Sequence, residues 1–295
     1  MTRPASTRRE LEPGRPRSRA VRVVLNVVAV VVFLASAFPV YWMVNSAFLP
    51  NNAIREQVPH FFPDQFTVDN FVKVVTEPSG TIEFLPALAT SLAVTLGTVV
   101  LAAVFAFFAA LALSRFRFRS KKGLIVGLLV AQMIPAEAMI VSIFRVLDGW
   151  QLLNSIVGLT LVYLAVVLPF TIWTLRGFVA GIPVELEEAA MVDGCSRFGA
   201  FFRVTLPLLW PGLIATGVFA FIQAWNEFLF ALVIMQKPEV RTLPVWLRAF
   251  VQATQATDWA AIMAGSTLIS IPVIVFFLLV QGRMVGGMAA GAVKG

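Results

Sequence analysis

Apolar residues run through this chain in blocks of about 20, the length at which a helix crosses roughly 30 Å of hydrocarbon. Six blocks stand out: Val24–Met43, Leu92–Leu113, Leu124–Phe144, Ile156–Trp173, Leu213–Met235 and Ala261–Val280. The last five are apolar on all sides, as expected of helices surrounded by lipid or by other helices. The pattern predicts an all-α, polytopic membrane protein with six transmembrane helices.

Composition agrees. Apolar residues make up 59% of the 295 positions and charged residues 13%, against roughly a quarter charged in soluble domains. The net charge of +7 does not indicate a nucleic-acid partner, because the basic residues are divided by side of the membrane. One set comprises Arg3, Arg8, Arg9, Arg15, Arg17, Arg19 and Arg22, then Arg115, Arg117, Arg119, Lys121 and Lys122. Arg176, Arg197, Arg203, Arg283 and Lys294 complete it, leaving Arg55, Lys73, Arg145, Lys237, Arg241 and Arg248 for the other side. The richer side is expected to be cytoplasmic, so six spans place both termini there. Cys195 and His60 are each the sole residue of their type. There is thus no intrachain disulfide and no His/Cys cluster to hold a transition metal.

These blocks divide the chain into a disordered basic tail (1–20), a first helix with an extracytoplasmic loop (21–84), a five-helix transmembrane domain (85–284) and a cytoplasmic C-terminal tail (285–295). A short helix is expected near Val68–Val75 in the long outer loop. The Arg-rich start and Ala35-Ser36-Ala37 also resemble a cleavable signal peptide. The apolar run continues through Phe38, Val40, Tyr41, Trp42 and Met43, which suits a retained anchor.

Between the fourth and fifth spans lies a polar loop, 181–208. Pro183 can begin a helix at no cost, since its missing N–H would be unpaired there. Glu185, Glu187 and Glu188 follow where carboxylates favour the positive end of the dipole. Gly194 can end that helix with positive φ, and Ser196 can cap a second one. Pro207 and Pro211 are expected to stop the second helix before the fifth span. Leu186, Ala189, Ala190 and Asp193 share one face at i, i+3, i+4 and i+7, small enough for close approach to a partner. An amphipathic helix lying on lipid would show the same face, but three acids in four residues suit an anionic inner leaflet poorly.

Glu188, Ala189, Ala190, Gly194, Val204, Leu206 and Pro207 fit the pattern E-A-A, three residues, Gly, nine residues, an aliphatic, one residue, L-P. This resembles the signature loop of permease subunits of binding-protein-dependent ABC importers. The resemblance implies the type I importer permease fold and a loop that inserts into a cleft of a separate ATPase. There Glu185, Leu186, Glu188, Ala189, Ala190, Asp193, Gly194 and Pro207 would form the docking part. The chain has no G-x-x-x-x-G-K-[ST] phosphate loop, so ATP would be bound by that partner and the chain itself would need no cofactor. The stretches Ile134-Pro135, Leu153-Asn154-Ser155, Leu168-Pro169-Phe170, Trp225-Asn226-Glu227-Phe228 and Gly291-Ala292-Val293-Lys294-Gly295 resemble carbohydrate importers, nearest the smaller permease of maltose-type systems. Such a subunit pairs with a second, non-identical permease, two ATPase copies and an extracytoplasmic solute-binding protein. Its C-terminal Val-Lys-Gly reaches towards the ATPases, and a loop matching Gln252–Asp258 probes the binding protein.

Ionisable and amide side chains inside spans are costly and usually face a bundle or a cavity. Gln223, Trp225, Asn226 and Glu227 in the fifth block, and Glu137 in the third, are candidates for lining a pathway. Hydrogen bonding between helices or subunits is the competing role, and the favoured one for Asn226, Glu227 and Glu137. A self-contained secondary transporter or channel would show more buried ionisable residues or duplicated halves. An enzyme would need a nucleophile–base pair or metal ligands, and neither is present.

Overall fold

The structure is a computed structural model that describes residues 19–79, 81–251 and 257–292. Most of the basic tail, most of the Gln252–Asp258 loop and the Val-Lys-Gly terminus therefore lie outside the described residues. What is described is helical, with a lone bridge between Ser79 and Ile82 as the one β-type pairing.

The first span, α1 (Arg19–Ala47), buries only its last three residues, Asn45, Ser46 and Ala47. Beyond it the chain forms α2 (Asn51–Ile54) and α3 (Asp69–Thr76), the latter close to the helix expected near Val68–Val75. Between them His60 sits 3.0 Å from both Glu56 and Asp64. Hydrogen bonds to the two carboxylates raise its pKa, so the imidazolium persists to higher pH than in a free histidine. The clasp rests against the end of α1, where Asn45 Nδ2 donates to the His60 carbonyl and the Tyr41 hydroxyl to that of Phe61.

The second span is α4 (Phe84–Arg115). The third block does not form one straight span. It divides into α5 (Lys121–Met133), a 3₁₀ turn (Ala136–Met139) and α6 (Ile140–Gly149), with an 85° bend at the break. Pro135 explains the break: its nitrogen cannot donate, and its ring disfavours helical geometry at Ile134, which is extended (ψ 120°). The fourth span, α7 (Ile156–Ala180), is capped by Ser155, whose hydroxyl accepts from Gly158 N–H at 3.0 Å. Asn154, in left-handed geometry (φ 55°), accepts through its side chain from the N–H groups of Gln236 and Lys237. The Leu-Asn-Ser stretch is thus a clamp joining two connections.

After the polar loop come α8 (Val184–Val192) and α9 (Arg197–Ala200). Here Pro207 and Pro211 do not stop the helix. A π-helical turn (Phe201–Thr205) joins α9 to α10 (Leu206–Asn226), so that one helical stretch runs from Arg197 to Asn226. The π turn supplies Leu206 N–H with Phe201 O as acceptor, and Pro207, which has no N–H to place, follows at the start of α10. The fifth span accordingly begins earlier than Leu213 and is interrupted at Glu227, before α11 (Leu229–Ile234). A 3₁₀ turn (Pro238–Val240) and α12 (Leu243–Ala249) lead to α13 (Trp259–Ala292), the last span. Among the described residues, five helices are long and apolar enough to cross a membrane, and six if the bent pair is one span.

Two cores hold the bundle at its two ends. One gathers Ile172, Leu175 and Val179 of α7 with Phe107 and Leu111 of α4 and Leu209 of α10, beside the polar loop. The other lies at the opposite end, around Trp246, Phe84, Phe221, Trp225 and Leu159. There Lys73 pairs with Asp258 at 2.5 Å. Burial alone would raise the Asp258 pKa, but the bonds from Lys73 and Ala261 N–H outweigh it and hold the carboxyl below its ordinary value. This pair ties α3 to the start of α13.

Trp246 is wholly buried, with ring centroids of Phe84 and Phe250 at 5.0 and 4.9 Å. A Cβ on Gly265 would stand 2.9 Å from its indole, whereas one on Gly177 would meet nothing within 4 Å. Gly265→Val is therefore expected to cost about 1–3 kcal/mol by overpacking. Gly177→Ala should be neutral or gain up to about 1 kcal/mol from helix propensity. Thermal unfolding in detergent measures both, and equal midpoints would contradict this packing.

Candidate functional site

The polar loop presents its first helix outwards. In α8, Glu185, Leu186, Glu188 and Ala189 are exposed, Ala190 is half-buried and Asp193 is exposed. The expected face is thus open along its length. Gly194 has φ 91°, and the N–H groups of Gly194 and Cys195 bond back to the carbonyls of Met191 and Ala190 at 3.1 and 3.0 Å. These two bonds form the Schellman closure that a glycine in left-handed geometry permits. Ser196 accepts from Gly199 N–H at 3.0 Å and starts the next helix. Pro207 lies exposed in the first turn of α10. Val192 (87% exposed) and Phe198 (63%) add apolar surface beside this face. Helical spacing does not single out either one, although apolar residues in so polar a loop are a signal of contact.

Of the three glutamates in α8, Glu187 turns inward and is buried. Its Oε1 accepts from Arg115 Nε at 2.8 Å and from the Thr205 hydroxyl at 2.8 Å. Arg115 also donates from Nη2 to the Ile182 carbonyl at 2.8 Å. One buried carboxylate therefore joins the end of α4, the loop helix and the π turn at the base of α10. With side chains 11% and 5% exposed, the pair is largely withdrawn from solvent. The sequence shows Arg115 only as one basic residue among several, 72 positions from Glu187.

A second polar feature lies in the far half of the bundle. The interruption after α10 and the bend at Pro135 meet at one cleft of about 290 Å³, lined by Glu137, Tyr163, Gln223, Asn226, Glu227 and the backbone beyond it. Glu227 is engaged three times: its oxygens accept from the Tyr163 hydroxyl (2.6 Å), Phe230 N–H (2.7 Å) and Ala231 N–H (3.0 Å). It caps α11 and crosses to α7. Asn226 Nδ2 donates to the Ile222 carbonyl at 2.9 Å. Trp225 lies apart from the cleft, 2% exposed and parallel to Phe221 at 5.6 Å, with no ring face open to a ligand within this chain. No group of three or more His, Cys, Asp or Glu suited to a metal occurs among the described residues.

A family profile described as binding-protein-dependent transport system inner membrane component matches residues 102–288. The diacetylchitobiose uptake system permease protein of Streptomyces coelicolor is 47% identical over 279 residues, covering 95% of this chain and 99% of the relative. The trehalose transport system permease protein of Mycobacterium tuberculosis is 34% identical, covering 87% and 92%. Among solved structures, a bacterial ABC transporter involved in import of the acidic polysaccharide alginate superposes with TM-score 0.77 at 21% identity, over 92% of this chain and 99% of that one. At that identity the match shows the fold.

Removing one member of a buried ion pair leaves an uncompensated charge and costs about 3–5 kcal/mol, whereas replacing both with apolar residues is often neutral. Arg115→Met alone should lower the thermal midpoint in detergent markedly, and Arg115→Met with Glu187→Leu should recover most of the loss. A double variant no more stable than the single one would contradict the isolation of this pair.

Proposed function

Because this chain belongs to the family of binding-protein-dependent transport system inner membrane components, we propose that it is one of two permease subunits of an ATP-driven importer of oligosaccharides. It contributes half of the translocation pathway in the plasma membrane. The other half is a second, non-identical permease, and an extracytoplasmic solute-binding protein delivers the sugar. ATP is bound by a separate ATPase dimer, and this subunit carries no cofactor. The uptake systems of the relatives, for diacetylchitobiose and trehalose, support the carbohydrate class. Basic residues gathered at the loop end support cytoplasmic termini and a cytoplasmic loop.

The observation that carries the reading is the open face of α8 combined with its internal tether. Leu186, Ala189 and Ala190 offer an apolar strip to an ATPase cleft, and Glu185, Glu188 and Asp193 offer charge to its rim. When nucleotide binding draws the ATPases together, α8 moves with them. Arg115 then passes the displacement to α4, and Thr205 passes it to α10. Packed helices respond to such a push by switching between discrete arrangements. The cleft at the far end lies between elements attached to α7 and α10, so rotation of α10 against α7 changes its width.

Co-expression with a candidate ATPase and second permease from the same organism tests this directly. The wild-type chain is expected to bring down the ATPase. Glu188→Lys is expected to lose it by roughly tenfold or more, as a reversed charge within a docked rim would, with membrane content unchanged. Sugar uptake by the purified chain alone, without ATP, would overturn the assignment. Orientation has its own test: a membrane-impermeant thiol reagent should leave Cys195 unlabelled in intact cells and label it in inverted vesicles.

A further inference from the structure

We propose that the cleft between the two interrupted helices admits sugars that donate hydrogen bonds and carry no negative charge, and that Glu137 sets this preference. The inference rests on the sugar-import reading above and narrows its substrate class.

The argument begins with which polar atoms remain free. Glu227 spends its carboxylate on Tyr163 and two backbone N–H groups, so it shapes the cleft without reaching into it. Asn226 spends one N–H on Ile222 and keeps its carbonyl oxygen. The side chains of Glu137 and Gln223 line the cleft with no hydrogen-bond partner among the described residues. Glu137 sits in the first turn after Pro135, at the 85° bend. Its carboxyl therefore hangs from the break itself.

The free inventory is rich in acceptors: two oxygens on Glu137, one on Asn226 and one on Gln223, against the amide hydrogens of Gln223 and one of Asn226. Hydroxyls, acylamino N–H groups and ammonium groups satisfy such a surface. A uronate or a sulfonate does not. It would add an acid beside Glu137 and Glu227, and no Lys or Arg lines the cleft to neutralise it. Two carboxylates brought close together repel, and any desolvation of the added acid would go uncompensated. Pathway residues that reject one charge class act as a second filter behind the solute receptor.

The electrostatic claim can be measured without knowing the sugar. In the complete complex with Cys195→Ser, a cysteine is placed in the cleft by Gln223→Cys. Its reaction rates with trimethylammonium-ethyl and sulfonato-ethyl methanethiosulfonate are each divided by the rate with a free thiol in solution. The cationic reagent is expected to be favoured by about tenfold or more, the order of effect that nearby acids exert at intermediate dielectric. Adding Glu137→Gln should move the ratio most of the way to unity. A starting ratio near or below unity would overturn the proposal, as would a ratio unmoved by Glu137→Gln or failure of both reagents to react. A purely structural role for Glu137 would leave the ratio unchanged. The sugar-import reading stands or falls separately, on whether sugar uptake by cells is lost when this chain is deleted.

Discussion

A polypeptide in hydrocarbon must satisfy its own backbone, since no water is available for an orphaned N–H or carbonyl. Two departures from regular helix in this bundle answer to that constraint. At the end of α10 the helix stops, and the N–H groups of Phe230 and Ala231 would be left bare; the Glu227 carboxylate accepts both. At the base of the same helix, the π turn gives Leu206 N–H an acceptor in Phe201 just before Pro207. The price of interrupting a span is thus an ionisable side chain or a change of helical register. The cleft follows from the interruptions, because two broken helices cannot pack side by side as two whole ones can.

The same economy governs the loop end. A helix exposed to a partner along one face needs a fastening on the other, or it would move without moving anything else. Glu187 provides it, and its position between Arg115 and Thr205 makes α8 part of two spans at once. Buried ion pairs add little net stability compared with apolar packing, and their geometric demand is the more useful property here. Two fixed hydrogen bonds define how α8 sits on the bundle in a way that interchangeable aliphatic contacts would not.

Most of the spans and the polar loop were legible because hydropathy is a one-dimensional signal, and a block of twenty apolar residues has few other uses. The turn at Gly194 and the caps at Ser155 and Ser196 follow local rules that span three or four residues. Other features depend on geometry at a distance. Pro135 and Pro211 both interrupt apolar runs, yet one ends a helix and the other lies inside one, and no rule read over a few residues separates them. Trp225 and Asn226 are adjacent, and only packing decides that the indole turns to Phe221 while the amide turns to the cleft. A helix apolar on all sides carries no mark of which side faces inward. Arg115 and Glu187 lie too far apart in sequence for any local rule to pair them.

The first span stands apart in one respect: none of its most apolar stretch is buried against the rest of the chain. Val23, Val24, Val27, Val31, Phe33 and Leu34 all point outward from this subunit. Such a segment is selected for solubility in fat and hardly at all for shape. Within this subunit, drift among aliphatic residues there is nearly free, while a single carboxylate would be resisted at every turn.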